Sequence, residues 1–279
     1  MKKFLKQTLN FFFNKLGYSI KRINKNREMF EFPRDFFPIE MNDIQKKIIR
    51  ESEKFSMTGR IRMSLLLKII DHINSHNIEG DIVECGVWKG GNLICAQKYL
   101  NYLKVEKKVI GFDTFEGMTE GTELDVQIKQ VKIKDKNDTK YIEENRIASK
   151  MMKSIDKHKN DGKNIWAYCS IENVQKNIKN EINNNNNKIK LIKGPVERTL
   201  LDKNNLPQKI SLLRLDTDFY ESTKIELEKL YPLLVKGGFL IIDDYGHWKG
   251  AKKAVDDYFE TNLPFIHFID ETCRLIIKE

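Results

Sequence analysis

Leu212–Gly250 reads LLRLDTDFYESTKIELEKLYPLLVKGGFLIIDDYGHWKG, and its punctuation decides the fold. Ile210–Leu215 is a short apolar run that stops at Asp216 and Asp218. From Tyr220 to Leu234, Ile225, Leu227, Leu230, Leu233 and Leu234 recur at helical spacing, with Ser222 and Thr223 near the start. Gly237 and Gly238 interrupt, and a second apolar run, Phe239–Ile242, ends at Asp243 and Asp244. The pattern predicts two buried parallel strands joined by a helix, with both C-terminal ends on one edge of a sheet. The acids at the tips then share one crevice, on the edge where open α/β sheets bind ligands.

The flanking sequence repeats this alternation. Asp81–Cys85 is a short strand, followed by the glycine turn GVWKGGN and a helix over Leu93–Leu103. Val109–Phe112 is the next strand and ends at Asp113; Ile189–Lys193 is a further one. Helical spacing also predicts helices around Asp43–Phe55, over Thr58–Asn74 with Thr58 as cap, over Ile171–Ile182 and over Ala251–Phe259. Phe265–Ile269 and Leu275–Ile277 close the chain as an antiparallel hairpin. The expected class is α/β, an open, mostly parallel sheet with an antiparallel end.

Two segments stand apart. Residues 1–25 read as a basic amphipathic helix with Leu5, Leu9, Phe12 and Leu16 on one face. Such a helix packs on its own domain or a second subunit, or lies on anionic lipid. With the arm that follows, it forms an N-terminal extension over 1–57, ahead of a domain over 58–279. Residues 123–164 are strongly charged and read as a variable, lid-like insertion with a helix over Tyr141–His158. The asparagine tract at 183–187 is a polar turn.

Composition bounds the function. The 279 residues are 40% hydrophobic and 32% charged, ordinary for a globular chain with one sizeable core. No run approaches the ~18 apolar residues of a spanning helix, and no signal-peptide pattern is present. The expected location is cytoplasmic, with peripheral contact at the inner membrane face through residues 1–25. Cys85, Cys95, Cys169 and Cys273 are scattered without zinc spacing and read as free, buried thiols. The net charge of +9 is spread over the chain without interleaved aromatics, which argues against nucleic acid as partner.

The chemistry lies at the strand tips. In Glu84-Cys-Gly86-Val87-Trp88-Lys-Gly90-Gly91-Asn92 the glycines let backbone N–H groups approach an anionic group at a helix start. The spacing is GxxxGG instead of GxGxxG, which disfavours an NAD-dependent oxidoreductase. Glu84 would repel a pyrophosphate but suits an ammonium, so a ligand carrying amine and carboxylate, such as the methionine part of S-adenosylmethionine, fits better. Asp113, at the next tip, suits the two hydroxyls of a ribose. Asp216, Asp243 and Asp244 are hard oxygen donors suited to Mg²⁺ or another divalent cation, with Asp218 a fourth ligand or a helix cap. His247 is a candidate general base.

These motifs together resemble the macrocin-type sugar O-methyltransferases, which act on tylosin and mycinamicin precursors and relatives. The matching stretches are GDIVECGVWKGGN (80–92), GFDTFEGM (111–118), LLRLDTDFYEST (212–223) and GGFLIIDDYGHWKGAKKAVDDYF (237–259). The resemblance implies a Rossmann-like, seven-stranded class I methyltransferase fold, S-adenosylmethionine as cofactor and a divalent metal at Asp216, Asp243 and Asp244. It places Asp216 as base and as a neighbour of the cofactor, and adds Thr114 and Ser170 to the cofactor residues. The implied activity is methyl transfer to a sugar hydroxyl of a glycoconjugate, surface polysaccharide or secondary metabolite; the N-terminal arm, for its part, suggests a homo-oligomer. A non-catalytic scaffold in a glycan assembly complex is the reading from a different class.

Overall fold

The structure is a computed structural model that describes residues 36–135, 138–158, 164–182, 187–262 and 264–279. The helix expected over 1–25 and most of the asparagine tract lie outside the described residues. The chain divides at Phe36/Phe37, and Phe37–Glu279 is one compact unit.

That unit opens with α1 (Asp43–Ser52), capped by a reciprocal Asn42–Gln45 pair, and α2 (Arg60–Ser75). Met41, Ile48 and Ile49 are buried in the same core as α2, so this part of the expected arm is packed into the domain. The first βαβ unit is β1 (Asp81–Cys85), α3 (Gly91–Leu103) and β2 (Val109–Asp113). Next come β3 (Val126–Asp135), β4 (Asp138–Ile147) and the short α4 (Ala148–Lys153). α5 (Ile171–Glu181), β5 (Ile189–Lys193), α6 (Val196–Thr199) and β6 (Ile210–Leu215) follow. The rest is α7 (Tyr220–Leu230), β7 (Leu234–Ile242), α8 (Lys249–Phe259), β8 (His267–Phe268) and β9 (Arg274–Ile277).

Seven strands form one sheet in the order β5-β2-β1-β6-β7-β9-β8. β5, β2, β1, β6 and β7 are parallel, whereas β9 runs antiparallel to β7 and to β8, as the terminal hairpin requires. Alternate residues face opposite layers. Ile82, Leu212, Phe239 and Ile241 join the core shared with α1, α2, α3 and α5. Val83, Leu213, Leu215, Leu240 and Ile242 join the core shared with α6, α7 and α8. The parallel strands end together, so the tips of β1, β2, β6 and β7 share one edge.

The insertion corrects the sequence reading. Residues 126–147 form an antiparallel hairpin in place of the helix expected from Tyr141, and helix is confined to Ala148–Lys153 in the described part. The sequence carried the signal: Val131-Lys-Ile133-Lys alternates with period two, and Asn137 and Asp138 interrupt the run. The base of the hairpin is pinned to the domain. Asp125 is fully buried, and its Oδ1 accepts from the Tyr220 amide at 2.8 Å, at the start of α7. Gln127 bridges Trp248, which packs edge-on against Phe219 in a small core with Ala148 and Met152.

Thr58 is not the α2 cap either. Gly59 holds that place, and the Thr58 hydroxyl accepts hydrogen bonds from Asn92 and Arg214.

Candidate functional site

At the shared edge the chain leaves β1 and β6 side by side. Gly86 turns out of β1 with φ 87°, and a Cβ there would lie 2.0 Å from the carbonyl oxygen of Asp216. Only glycine permits that approach. The next residues cross over β2, where Asp113 collects them: its Oδ2 accepts from the amides of Val87 and Trp88 at 2.7 and 3.0 Å, and its Oδ1 from Phe115 at 2.6 Å. Burial raises the Asp113 pKa, and these backbone donors oppose it. Asp113 therefore organises the turn it was expected to accompany.

A cleft opens over these tips. It is lined by Met57, Gly86, Trp88, Asp113, Thr114, Gly117, Met118, Ala167, Gly194–Glu197, Asp216, Thr217, Asp218 and Ser222, among others. Its empty volume is about 670 Å³, part of it open to solvent, within the range of ligand clefts. Three of its non-glycine residues, Trp88, Ala167 and Asp218, hold positive φ. Strain of this kind is characteristic of ligand sites.

Of the expected cofactor residues, Gly86, Trp88, Asp113, Thr114 and Asp216 line the cleft, and Glu84, Val87, Gly90, Gly91, Asn92 and Ser170 do not. Gly90 backs onto Val174, and Gly91 onto Phe55 and Ser56. Ser170 caps α5 through the Asn173 amide. Glu84 is 4% exposed and is not among the residues that line the cleft. Its Oε1 accepts from Asn92 Nδ2 at 3.0 Å and from Arg214 Nη1 at 2.7 Å. Arg214 and Asn92 both take Oε1, while the Glu84 Oε2 atom is buried without a hydrogen-bond partner.

Arg214 is the residue that sequence reasoning missed. It faces Glu84 across the β1–β6 register, is 5% exposed, and also donates to Asp216 at 2.7 Å and to Asp243 at 2.5 Å. Arg62, from the first turn of α2, pairs with the other oxygen of Asp243 and with Asp270 at 2.6 Å, and donates to Thr272 at 2.6 Å. Both oxygens of Asp243 are thus taken by guanidinium groups.

Among the described residues, one group of acids lies close enough to share a cation. Asp216, Asp218 and Asp244 each offer an oxygen within 4.8 Å of the others, and Asp218 replaces Asp243 in the group. The Asp244 Oδ2 atom is buried without a hydrogen-bond partner. Burial, then repulsion among the acids, pushes the Asp218 carboxyl up to about 7. Asp216 and Asp244 also move well upward, Asp216 with Arg214 in opposition. Such a group holds either protons or a cation, and three hard carboxylate donors fit a divalent ion of the Mg²⁺ type.

His247 stands outside the cleft lining, its Nε2 at 2.7 Å from Gln127 Nε2. Burial and the nearby Arg62 charge lower its pKa.

A sheet in this order, with a glycine turn out of β1, an acid ending β2 and a cleft over both, defines a class I S-adenosylmethionine-dependent O-methyltransferase. The chain belongs to the Macrocin-O-methyltransferase (TylF) family, whose model matches residues 49–156 and 147–274. It is 27% identical over 208 residues to the demethyldecarbamoylnovobiocin O-methyltransferase of Streptomyces niveus, covering 73% of this chain and 67% of that one. The mycinamicin III 3''-O-methyltransferase of Micromonospora griseorubida is 26% identical over 205 residues, covering 73% and 69%. Among solved structures, the O-methyltransferase NovP superposes with a TM-score of 0.62 at 25% identity, over 80% of this chain and 82% of that one. The calicheamicin methyltransferase CalS11 shares the fold, with a TM-score of 0.53 at 16% identity over 86% and 94%. Family membership displaces the oxidoreductase and scaffold readings. Among the described residues no helix is long and apolar enough to cross a membrane.

Proposed function

We propose that this chain methylates a hydroxyl of a glycosyl acceptor, on a glycoconjugate, a surface polysaccharide or a secondary metabolite, in a cation-dependent reaction. The observation that carries this reading is the acid group Asp216, Asp218 and Asp244 set beside the cleft, with Asp216 and Asp218 also lining it. The 8-demethyl-8-(2,3-dimethoxy-alpha-L-rhamnosyl)-tetracenomycin-C 4'-O-methyltransferase of Streptomyces olivaceus, 27% identical over 205 residues, carries a rhamnosyl group in its named substrate, which supports a sugar hydroxyl as acceptor.

The residues divide the work. Gly86, Trp88, Asp113 and Thr114 would hold S-adenosylmethionine, which supplies an electrophilic methyl group. Asp216, Asp218 and Asp244 would hold the divalent cation, which supplies a positive charge that acidifies a bound hydroxyl. Asp216 faces the cleft and would accept the hydroxyl proton, burial raising its carboxyl pKa while the Arg214 charge opposes that rise. Arg214 fixes Asp216 from behind, so the carboxylate stays in place while its charge changes. His247 is held against Gln127 away from the cleft lining and shapes the surroundings of Asp243 and Trp248. Positioning and electrostatics account for the catalysis.

The test is a purified full-length chain, S-adenosylmethionine, Mg²⁺ and a panel of glycosides bearing vicinal diols, read by mass spectrometry. The expected result is gain of one methyl group, lost with EDTA and restored by Mg²⁺. Full activity in EDTA would remove the cation, and methylation of phenols but of no glycoside would remove the sugar acceptor.

A further inference from the structure

The far end of α2 carries a second constellation. Arg62, in the first turn, reaches the acids at the sheet edge. His72, in the last turn, stands about 15 Å further along the axis, at about 1.5 Å per residue. His76 follows at the C-cap. Both histidines are exposed, and neither belongs to the site described above.

A spacing of i, i+4 puts two side chains on one face of a helix. The two imidazole rings are stacked, with centroids 3.9 Å apart and 23° between their planes. Two nitrogens on one tetrahedral zinc ion, each about 2.0–2.1 Å from the metal, lie roughly 3.3 Å from each other. The ring separation already present is close to that value, so a small rotation about the side-chain bonds brings both rings onto one ion.

Each ring is also held from the protein side. His76 Nδ1 lies 3.0 Å from the carbonyl oxygen of His72. A carbonyl only accepts, so Nδ1 carries the proton and Nε2 keeps a free lone pair. Ser75 Oγ, 3.0 Å from the same nitrogen, donates to that carbonyl as well. Metal-ligating histidines are oriented in this way, by a second ring N–H given to a backbone carbonyl. The His72 ring packs at right angles to Phe239 of β7, with 5.4 Å between centroids. Phe239 is buried and fixes that ring in turn.

We propose that His72 and His76 form a binding site for a transition-metal ion, Zn²⁺ or Cu²⁺, separate from the acid group beside the cleft. Imidazole suits these ions and carboxylate oxygen suits Mg²⁺, so donor chemistry keeps the two sites apart. Two protein ligands leave the other coordination positions to water. The spacing exists only while the end of α2 is helical, so the ion binds the folded chain in preference to the unfolded one and stabilises it by mass action. A stacked pair that serves packing alone would respond to no metal.

The experiment uses the full chain without an affinity tag, in excess Mg²⁺, titrated with Zn²⁺ by calorimetry and with Cu²⁺ by electron paramagnetic resonance. Wild type should take up Zn²⁺, and Cu²⁺ more tightly. His72→Asn and His76→Asn should each weaken Zn²⁺ binding at least about tenfold, the smallest loss expected even for an outer partner of a metal ligand. His158→Asn, an exposed histidine elsewhere, should leave it unchanged. The Cu²⁺ spectrum of wild type should show splitting from two nitrogens, reduced in either variant. Zn²⁺ should raise the melting temperature of wild type and not that of His76→Asn. Overturning results are no uptake of Zn²⁺ by wild type in excess Mg²⁺, or equal affinity in wild type and both variants. A loss confined to His72→Asn also overturns the pair, since His76→Asn leaves the contact with Phe239 in place. Melts of the metal-free variants check folding, which substitution at two exposed positions should leave near wild type. None of these outcomes depends on the reading of the cleft.

Discussion

Arg62 and Asp243 form an ion pair that ties the start of α2 to the tip of β7, and Arg214 takes the other oxygen of the same carboxylate. Asp243 is 6% exposed, so this is a buried charge shared by two cations. Removing one member of a buried network leaves its partners uncompensated. Asp243→Asn should therefore lower stability by roughly 3–5 kcal/mol, read from the urea midpoint at unchanged slope. A loss under about 1 kcal/mol would mean that solvent already screens the network.

Asp218 should behave in the opposite way. It sits among like charges, and repulsion from Asp216 and Asp243 adds to burial in raising its pKa. Asp218→Asn relieves that repulsion, so the ligand-free variant should be as stable as wild type or more so. Its binding of Mn²⁺, followed by calorimetry or by electron paramagnetic resonance of the free ion, should weaken at least about tenfold, since affinity tracks the number of ligand charges. Asp243→Asn, assayed below its melting temperature, should keep more cation affinity than Asp218→Asn. The reverse order would return Asp243 to the ligand set in place of Asp218.

Much of this was readable in the chain, and the failures share a cause. Ile210–Leu215 and Phe239–Ile242 were legible as parallel strands because each is an apolar run closed by acids. The cleft followed from strand direction alone. The pairing of the acids did not, because it depends on Arg62 and Arg214, the first far away in sequence. Arg214 did leave a trace: an arginine inside LLRLD, in a strand predicted buried on both faces, must meet carboxylates there. The rule names no partner, whereas the β1–β6 register names Glu84. The hairpin at 126–147 was obscured by its charge, which hides a period of two that backbone pairing obeys.

Gly86 is the position where backbone geometry and site geometry coincide. Its φ of 87° lies in the left-handed region, and a methyl group would overlap the Asp216 carbonyl. Gly86→Ala should cost roughly 2–4 kcal/mol, from the dihedral penalty together with local overpacking. The displacement would fall on Asp216, so affinity for S-adenosylhomocysteine should drop more than the melting temperature alone would suggest. Differential scanning fluorimetry with and without that ligand separates the two effects. A variant with wild-type melting and a wild-type ligand shift would show that β1 and β6 can separate at their tips without consequence.

Glu226 sets the pH behaviour in a way that one substitution can isolate. It is fully buried on α7, and burial is the largest influence on its carboxyl, which is held well above its usual range. In the folded chain the group keeps its proton at pH values where the unfolded chain, with a glutamate pKa near 4.3, has lost it. The folded state then binds more protons, so stability falls as pH rises from about 4.3 toward the folded pKa, by at most about 1.4 kcal/mol per unit. Below that window both states are protonated and the penalty vanishes. Glu226→Gln keeps the oxygen that accepts from Thr217 and carries no titrating group. The variant should match wild type near pH 4.5 and exceed it increasingly as the pH rises toward the folded pKa of Glu226. Other acids of the site also titrate, but they remain in both proteins and largely cancel in the difference between their stability curves. A difference independent of pH, or one that reverses sign with wild type more stable at high pH, would show that Glu226 is ionised in the folded chain and that its neighbours accommodate the charge.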